Sequence, residues 1–132
     1  MQILLPAGWP RPKGYSNAIA AEGRVVFVGG QIGWDPLTNT FEQKDFLGQF
    51  RQTLETTKAL LAEAGAGPEH MTRMTWYITD KRAYLDQARE VGAAYRDIMG
   101  KNFPVMAVVV VVALMEDEAM IEIETTAVLP KA

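Results

Sequence analysis

The hydrophobic positions change period along the chain, and each change marks an element. Over residues 44–64, Leu47, Phe50, Leu54, Lys58 and Leu61 follow a 3.6-residue period, with Thr57 and Ala64 filling in. That spacing predicts a helix, and Gly65 with Gly67-Pro68 stops it. Residues 71–79 switch to strict alternation: Met74, Trp76 and Ile78 on one face, Arg73, Thr75, Tyr77 and Thr79 on the other. A half-buried strand is expected there. Asp80 is a natural N-cap for a second helix, whose stripe is Tyr84, Ala88, Val91, Tyr95 and Ile98, and Gly100 ends it. Phe103-Pro104 then leads into an uncharged, valine-rich run over 105–114. Such a run predicts a strand buried on both faces, entered through a Pro suited to a strand start. Ile121 and Ile123 alternate with Glu122 and Glu124 in a last strand over 120–129, and Glu116-Asp117-Glu118 forms a charged turn before it.

The first third is less regular. Pro6, Pro10 and Pro12 with Gly8 and Gly14 make residues 1–14 an extended arm. Short strands are expected over 16–20 and at Val25-Val26-Phe27-Val28, the second ending in Gly29-Gly30, before a loop that begins at Trp34. The order is β-β-α-β-α-β-β, an α+β arrangement in one domain over residues 1–132. Two helices cover one face of one mixed sheet. The valine-rich strand needs its other face covered as well, so self-association is the expected solution.

Composition narrows the function classes. Among 132 residues there are 13 Lys and Arg against 16 Asp and Glu, a formal charge of -3. No basic stripe supports phosphate neutralisation, so nucleic acid is not an expected partner. With no cysteine and a single histidine, His70, thiolate chemistry and a Cys- or His-rich metal site in one chain are excluded. Gly29-Gly30 lacks the Gly-Lys-Ser/Thr of a phosphate loop, and no cofactor is expected. No apolar run reaches the ~18 residues of a membrane span, and a cytoplasmic domain is the expectation. His70 is expected to be exposed. Met71, Met74, Met99, Met115 and Met120 are expected as core and interface filler.

Several segments, taken in order, resemble the Rid/YjgF proteins, the RidA-like reactive-intermediate deaminases. These are Gly14-Tyr15-Ser16-Asn17-Ala18-Ile19, Val26-Phe27-Val28-Gly29-Gly30-Gln31-Ile32, Asp35-Pro36-Leu37-Thr38, Gln49-Phe50-Arg51-Gln52-Thr53-Leu54, Phe103-Pro104 and Ile121-Glu122-Ile123-Glu124-Thr125-Thr126-Ala127. The resemblance implies a chorismate-mutase-like fold, with a mixed six-stranded sheet carrying two helices on one face. It also implies a homotrimer with a small-molecule cleft between subunits, and hydrolysis of enamines and imines there.

Site residues follow from the resemblance position by position. Tyr15 falls on the cleft tyrosine, and Glu122 on the glutamate that positions the attacking water. Gly29 stands where the family usually has Ser, leaving the backbone N–H groups of Gly29, Gly30 and Gln31 as donors. Phe103 belongs to the cleft wall, and Trp34 adds aromatic surface at its rim. Met106 stands in place of the carboxylate-binding Arg, Val108 in place of a Cys, and Gly92 is nearest to another polar family position. The chain thus resembles a divergent subgroup in which an arginine–carboxylate pair is missing. Lys13 or Arg11 is the available substitute cation. Plain structural roles stand beside these: Tyr15 as interface packing, Glu122 as an exposed residue of an alternating strand. Two functions follow. One is an imine or enamine deaminase whose substrate is not a standard 2-iminoacid, with Glu122 and Tyr15 as its catalytic residues. The other is a non-catalytic binding module. The acidic charge and the lack of a His-based acid–base pair speak against the ribonuclease activity ascribed to some members.

Overall fold

The computed structural model describes residues 1–131. Its elements are β1 (Gln2–Leu4), β2 (Ala18–Ala20), β3 (Arg24–Ile32), α1 (Phe46–Glu63), a 3-10 turn (Pro68–His70), β4 (Met71–Ile78), α2 (Lys81–Asp86), α3 (Ala88–Met99), β5 (Val105–Val110) and β6 (Ile121–Leu129). Four strands form the main sheet in the order β3-β6-β4-β5, antiparallel except for the parallel pair β4–β5. β1 and β2 form a separate antiparallel ribbon. The six strands of the α+β fold are therefore divided between two sheets. They meet where Ser16 bridges Val105 in parallel: its N–H donates to the Pro104 carbonyl (3.0 Å) and its Oγ to the Phe103 carbonyl (2.6 Å).

The alternation read from β4 and β6 is realised. Met74, Trp76, Ile78, Ile121 and Ile123 are buried against α1 and α3, while Arg73 and Glu124 lie on the open face. Phe50 packs on Trp76 with ring centroids 4.9 Å apart. α1 also buries polar side chains, because each finds a partner: Thr53 and Thr57 donate to carbonyls one turn back at 2.8 Å. Gln49 donates to the carbonyls of Gln43 (3.2 Å) and Glu118 (2.9 Å) and accepts from the Met120 N–H (2.8 Å). Gly33 lets β3 approach this point, since a methyl there would overlap Gln49.

Several expectations are corrected. The valine-rich strand stops at Val110 and lies at the sheet edge. Its last rung is the Val111 N–H to the Ile78 carbonyl (2.8 Å), because β4 ends at Ile78 and offers nothing further to pair with. In one chain this strand is not buried on both faces: Val109 and Val110 are 40% and 54% exposed, and Val112 projects fully into solvent. The second helix is two, α2 and α3, so the described residues hold three α-helices. At Gln87 φ reaches -115°, and its N–H bonds the Tyr84 carbonyl three residues back, interrupting the ladder. Asp80 does cap α2, accepting from the Ala83 N–H at 3.1 Å. His70 is half-buried rather than exposed, because its Nδ1 accepts the Gly67 N–H (3.0 Å) inside the 3-10 turn. Met115 is exposed and fills no core in the chain, whereas Met71, Met74 and Met99 are buried. Among the described residues no helix is long and apolar enough to cross a membrane.

Candidate functional site

A cleft of about 460 Å³ opens between the arm, the β5 edge and the helices α2 and α3. Its floor is the helix-facing side of the sheet: Trp76 of β4, and Met106 and Val108 of β5, with Trp76 and Val108 paired in register. Tyr15 and Lys13 close it from the arm, while Tyr84, Val91, Gly92 and Arg96 close it from the helices. Phe103 stands at one end, stacked on Tyr95 with centroids 5.7 Å apart and planes 18° apart. The structure thus brings together four of the expected site residues, Tyr15, Phe103, Met106 and Val108. Lys13 shares this cleft. Arg11 does not: it lines a neighbouring cavity of about 320 Å³, separated by Tyr15 and Phe103.

The remaining candidates form a second cluster. The register of β3 against β6 slips between Val28 and Gln31, so Gly29-Gly30 forms a bulge. A methyl on Gly30 would overlap the Glu122 carboxylate, so the glycine makes room for it. A methyl on Gly29 meets nothing within 4 Å. Gln31 donates from Nε2 to the Gly29 carbonyl at 3.2 Å. Cross-strand partners share a face. Glu122 pairs with Tyr77 on the open face, whereas Trp76, Val108 and Met106 face the helices. Within one chain Glu122 and Met106 therefore lie on opposite faces of the sheet. Trp34 belongs to neither group: it sits against Phe41 (5.8 Å between centroids) in a cavity it shares with Lys44 and Glu118.

Electrostatics separate the two clusters. The cleft lining contains Lys13 and Arg96 and no carboxylate. The open face carries Glu122 and Glu124, with Arg73 on the same side. Tyr77 donates to Glu124 Oε1 (2.7 Å), and this bond, with smaller contributions from burial and from the charges of Glu124 and Glu122, raises its pKa. Burial pushes the Tyr95 phenol up as well, and its hydroxyl donates to the Asn102 carbonyl. The unfolded chain ionises Tyr95 near pH 10 while the folded protein withholds it. Its stabilisation is therefore complete below about pH 10 and is lost as pH rises beyond that. Tyr95→Phe should cost about 1 kcal/mol at pH 7 through the lost hydrogen bond and should lessen the alkaline loss. Urea unfolding of both proteins from pH 7 to 11 measures this.

The cleft also takes in residues that the sequence does not mark as functional, among them Trp76, Tyr84, Tyr95 and Arg96. Trp76 and Tyr84 read as core positions of a strand face and a helix stripe. Arg96 had one available signal, its position one helical turn after Gly92.

Comparison with known proteins places this geometry. Residues 10–129 match the family model described as Endoribonuclease L-PSP. A RutC family protein of Pyrococcus horikoshii is 33% identical over 127 residues, covering 96% of each chain. Among solved structures, the Rid-family protein YyfB from Yersinia pestis, of unknown function, superposes with a TM-score of 0.81 at 30% identity, covering 97% of this chain and 98% of that one. TdcF of E. coli, solved with bound serine, gives 0.68 at 28% identity, covering 98% and 99%.

Proposed function

The chain belongs to the Rid/YjgF family, whose model carries the description Endoribonuclease L-PSP, and on that premise we propose that it is a homotrimer hydrolysing an imine or enamine other than the standard 2-iminoacids in clefts between its subunits. One observation carries this reading: the expected site is divided between two faces of the sheet. Tyr15, Met106 and Val108 line the helix-side cleft, whereas Glu122 and the Gly29-Gly30 bulge lie at the open face. A second copy, laid with its Glu122 cluster against the cleft of the first, completes the set. The open face suits such a contact, since Phe27 is 80% and Val25 47% exposed on it. A small polar metabolite as ligand is in keeping with the structural neighbour TdcF, which was solved with bound serine.

The chemistry follows from the residue types. Glu122 takes a proton from water as the oxygen adds to the C=N carbon, and the nitrogen gains a proton. The C–N bond of the resulting carbinolamine then breaks, leaving a carbonyl compound and ammonia. The Tyr15 hydroxyl orients the polar end of the substrate. Met106 removes the guanidinium whose hydrogen bonds to a carboxylate contribute about 1.5–3 kcal/mol each, so a 2-iminoacid loses its anchor beside the reacting carbon. The same loss, with Gly29 in place of a hydroxyl, favours the second reading, a binding module without turnover.

Light scattering and ammonia release test both parts. The expected particle contains three chains, and ammonia release from 2-aminoacrylate generated in situ stays near the uncatalysed rate. A monomer removes the shared cleft, and a rate equal to that of an arginine-bearing relative overturns the role given to Met106. For an imine that is turned over, mixed Tyr15→Phe and Glu122→Gln subunits should recover activity that neither variant has alone. Absence of recovery on mixing would place the site within one subunit.

A further inference from the structure

The cleft has lost one cation and gained another. Met106 leaves the β5 side uncharged, while across the cleft Arg96 projects from α3. A methyl at Gly92 would lie 3.3 Å from Arg96 Nη1, so the guanidinium lies back over the glycine, in the space a side chain at 92 would take. Lys13 stands at the arm side of the same cleft. Within one chain these two cations meet no carboxylate among the described residues, and in the proposed trimer they share the cleft with the Glu122 of a second copy; two cations against that one carboxylate favour an anionic ligand.

The space beside them suits a flat body. Tyr95 and Phe103 stack, Tyr84 meets Trp76 edge-on (6.2 Å), and Met106 and Val108 complete an apolar floor. Trp76 is only 4% exposed, and among the described residues its indole N–H has no hydrogen-bond partner. A buried donor without an acceptor is costly, and the cleft is the space that Trp76 lines.

We propose that the cleft binds a carboxylate carried on a flat, unsaturated or aromatic body, with Arg96 of α3 as its anchor, Lys13 as the second cation and the Trp76 indole N–H as donor to a ligand oxygen. This rests on the functional reading above and narrows it. The carboxylate is held from α3 rather than from β5, so the reacting C=N is separated from it by the planar spacer instead of standing on the adjacent carbon. A guanidinium favours the planar carboxylate through its paired donors.

Binding of benzoate, followed by ¹H–¹⁵N NMR, tests the assignment without requiring turnover. The Trp76 indole cross-peak, identified by its loss in Trp76→Phe, should shift as benzoate is added. Arg96→Gln should weaken benzoate about tenfold or more and leave the weaker binding of benzamide, the uncharged isostere, unchanged. Lys13→Ala should weaken benzoate less. Arg96 is exposed, and the same spectra report that the variant is folded. Unchanged benzoate affinity in folded Arg96→Gln, or no shift of the Trp76 indole at saturation, overturns the proposal. The hydrolytic reading fails separately, by absence of ammonia release from imines whose carboxylates still bind.

Discussion

Glu122→Gln should lower imine turnover by about 10²- to 10⁴-fold, the usual contribution of a positioned general base. The amide keeps the shape of the carboxylate and its place beside Gly30, where the absence of a side chain leaves room for it. It cannot take a proton from water. No ion pair among the described residues involves Glu122, so the substitution should leave thermal stability within about 0.5 kcal/mol. The expected result is a fall in kcat with a nearly constant KM, read by a coupled ammonia assay on whichever imine the wild type hydrolyses. Full activity in the Gln variant would remove Glu122 from the proton transfer. A parallel fall in stability would instead point to a structural role in the strand.

Gln49→Leu should produce the largest loss of stability. The side chain is almost completely buried on α1 and serves three backbone groups: it donates to the Gln43 and Glu118 carbonyls and accepts from the Met120 N–H. Leucine fills the volume but leaves these groups without their partner, at about 1–3 kcal/mol for each that stays dry. A total near 3 kcal/mol is a large share of the ~5–15 kcal/mol that holds a typical domain folded. The urea midpoint should fall while the slope of the transition is retained. Gln49 also ties α1 to the residue that leads into β6, and Glu122 is the second residue of that strand. Turnover should therefore fall below what the folded fraction alone predicts. Equal loss of activity and folded fraction would separate the helix tie from the site.

Much of the fold was legible because it is local. The 3.6-residue stripe through Phe50, Leu54 and Leu61 and the alternation of Met74, Trp76 and Ile78 are set by side-chain direction within one element. Asp80 as a cap, and Gly100 at φ +68° closing α3, are likewise decided within a turn. The break at Gln87 was not legible, since the apolar stripe runs on through Tyr84, Ala88 and Val91. The candidate site was half legible. Tyr15, Phe103, Met106 and Val108 share a cleft, while Trp34 lies elsewhere and Arg96 joined them unannounced.

By itself the sequence determined the type and extent of most elements, the family, the absence of charge at Met106 and the position of the Glu122 alternation. Each follows from the residues themselves or from their periodicity along the backbone. Only the tertiary structure decided that the valine-rich strand is an edge, that Glu122 and Met106 face opposite ways, and that Arg96 shares the cleft in which Met106 lacks charge. These depend on the strand order β3-β6-β4-β5 and on how α3 lies over it. Such pairings join residues far apart in the chain, and no local pattern of polar and apolar positions encodes them.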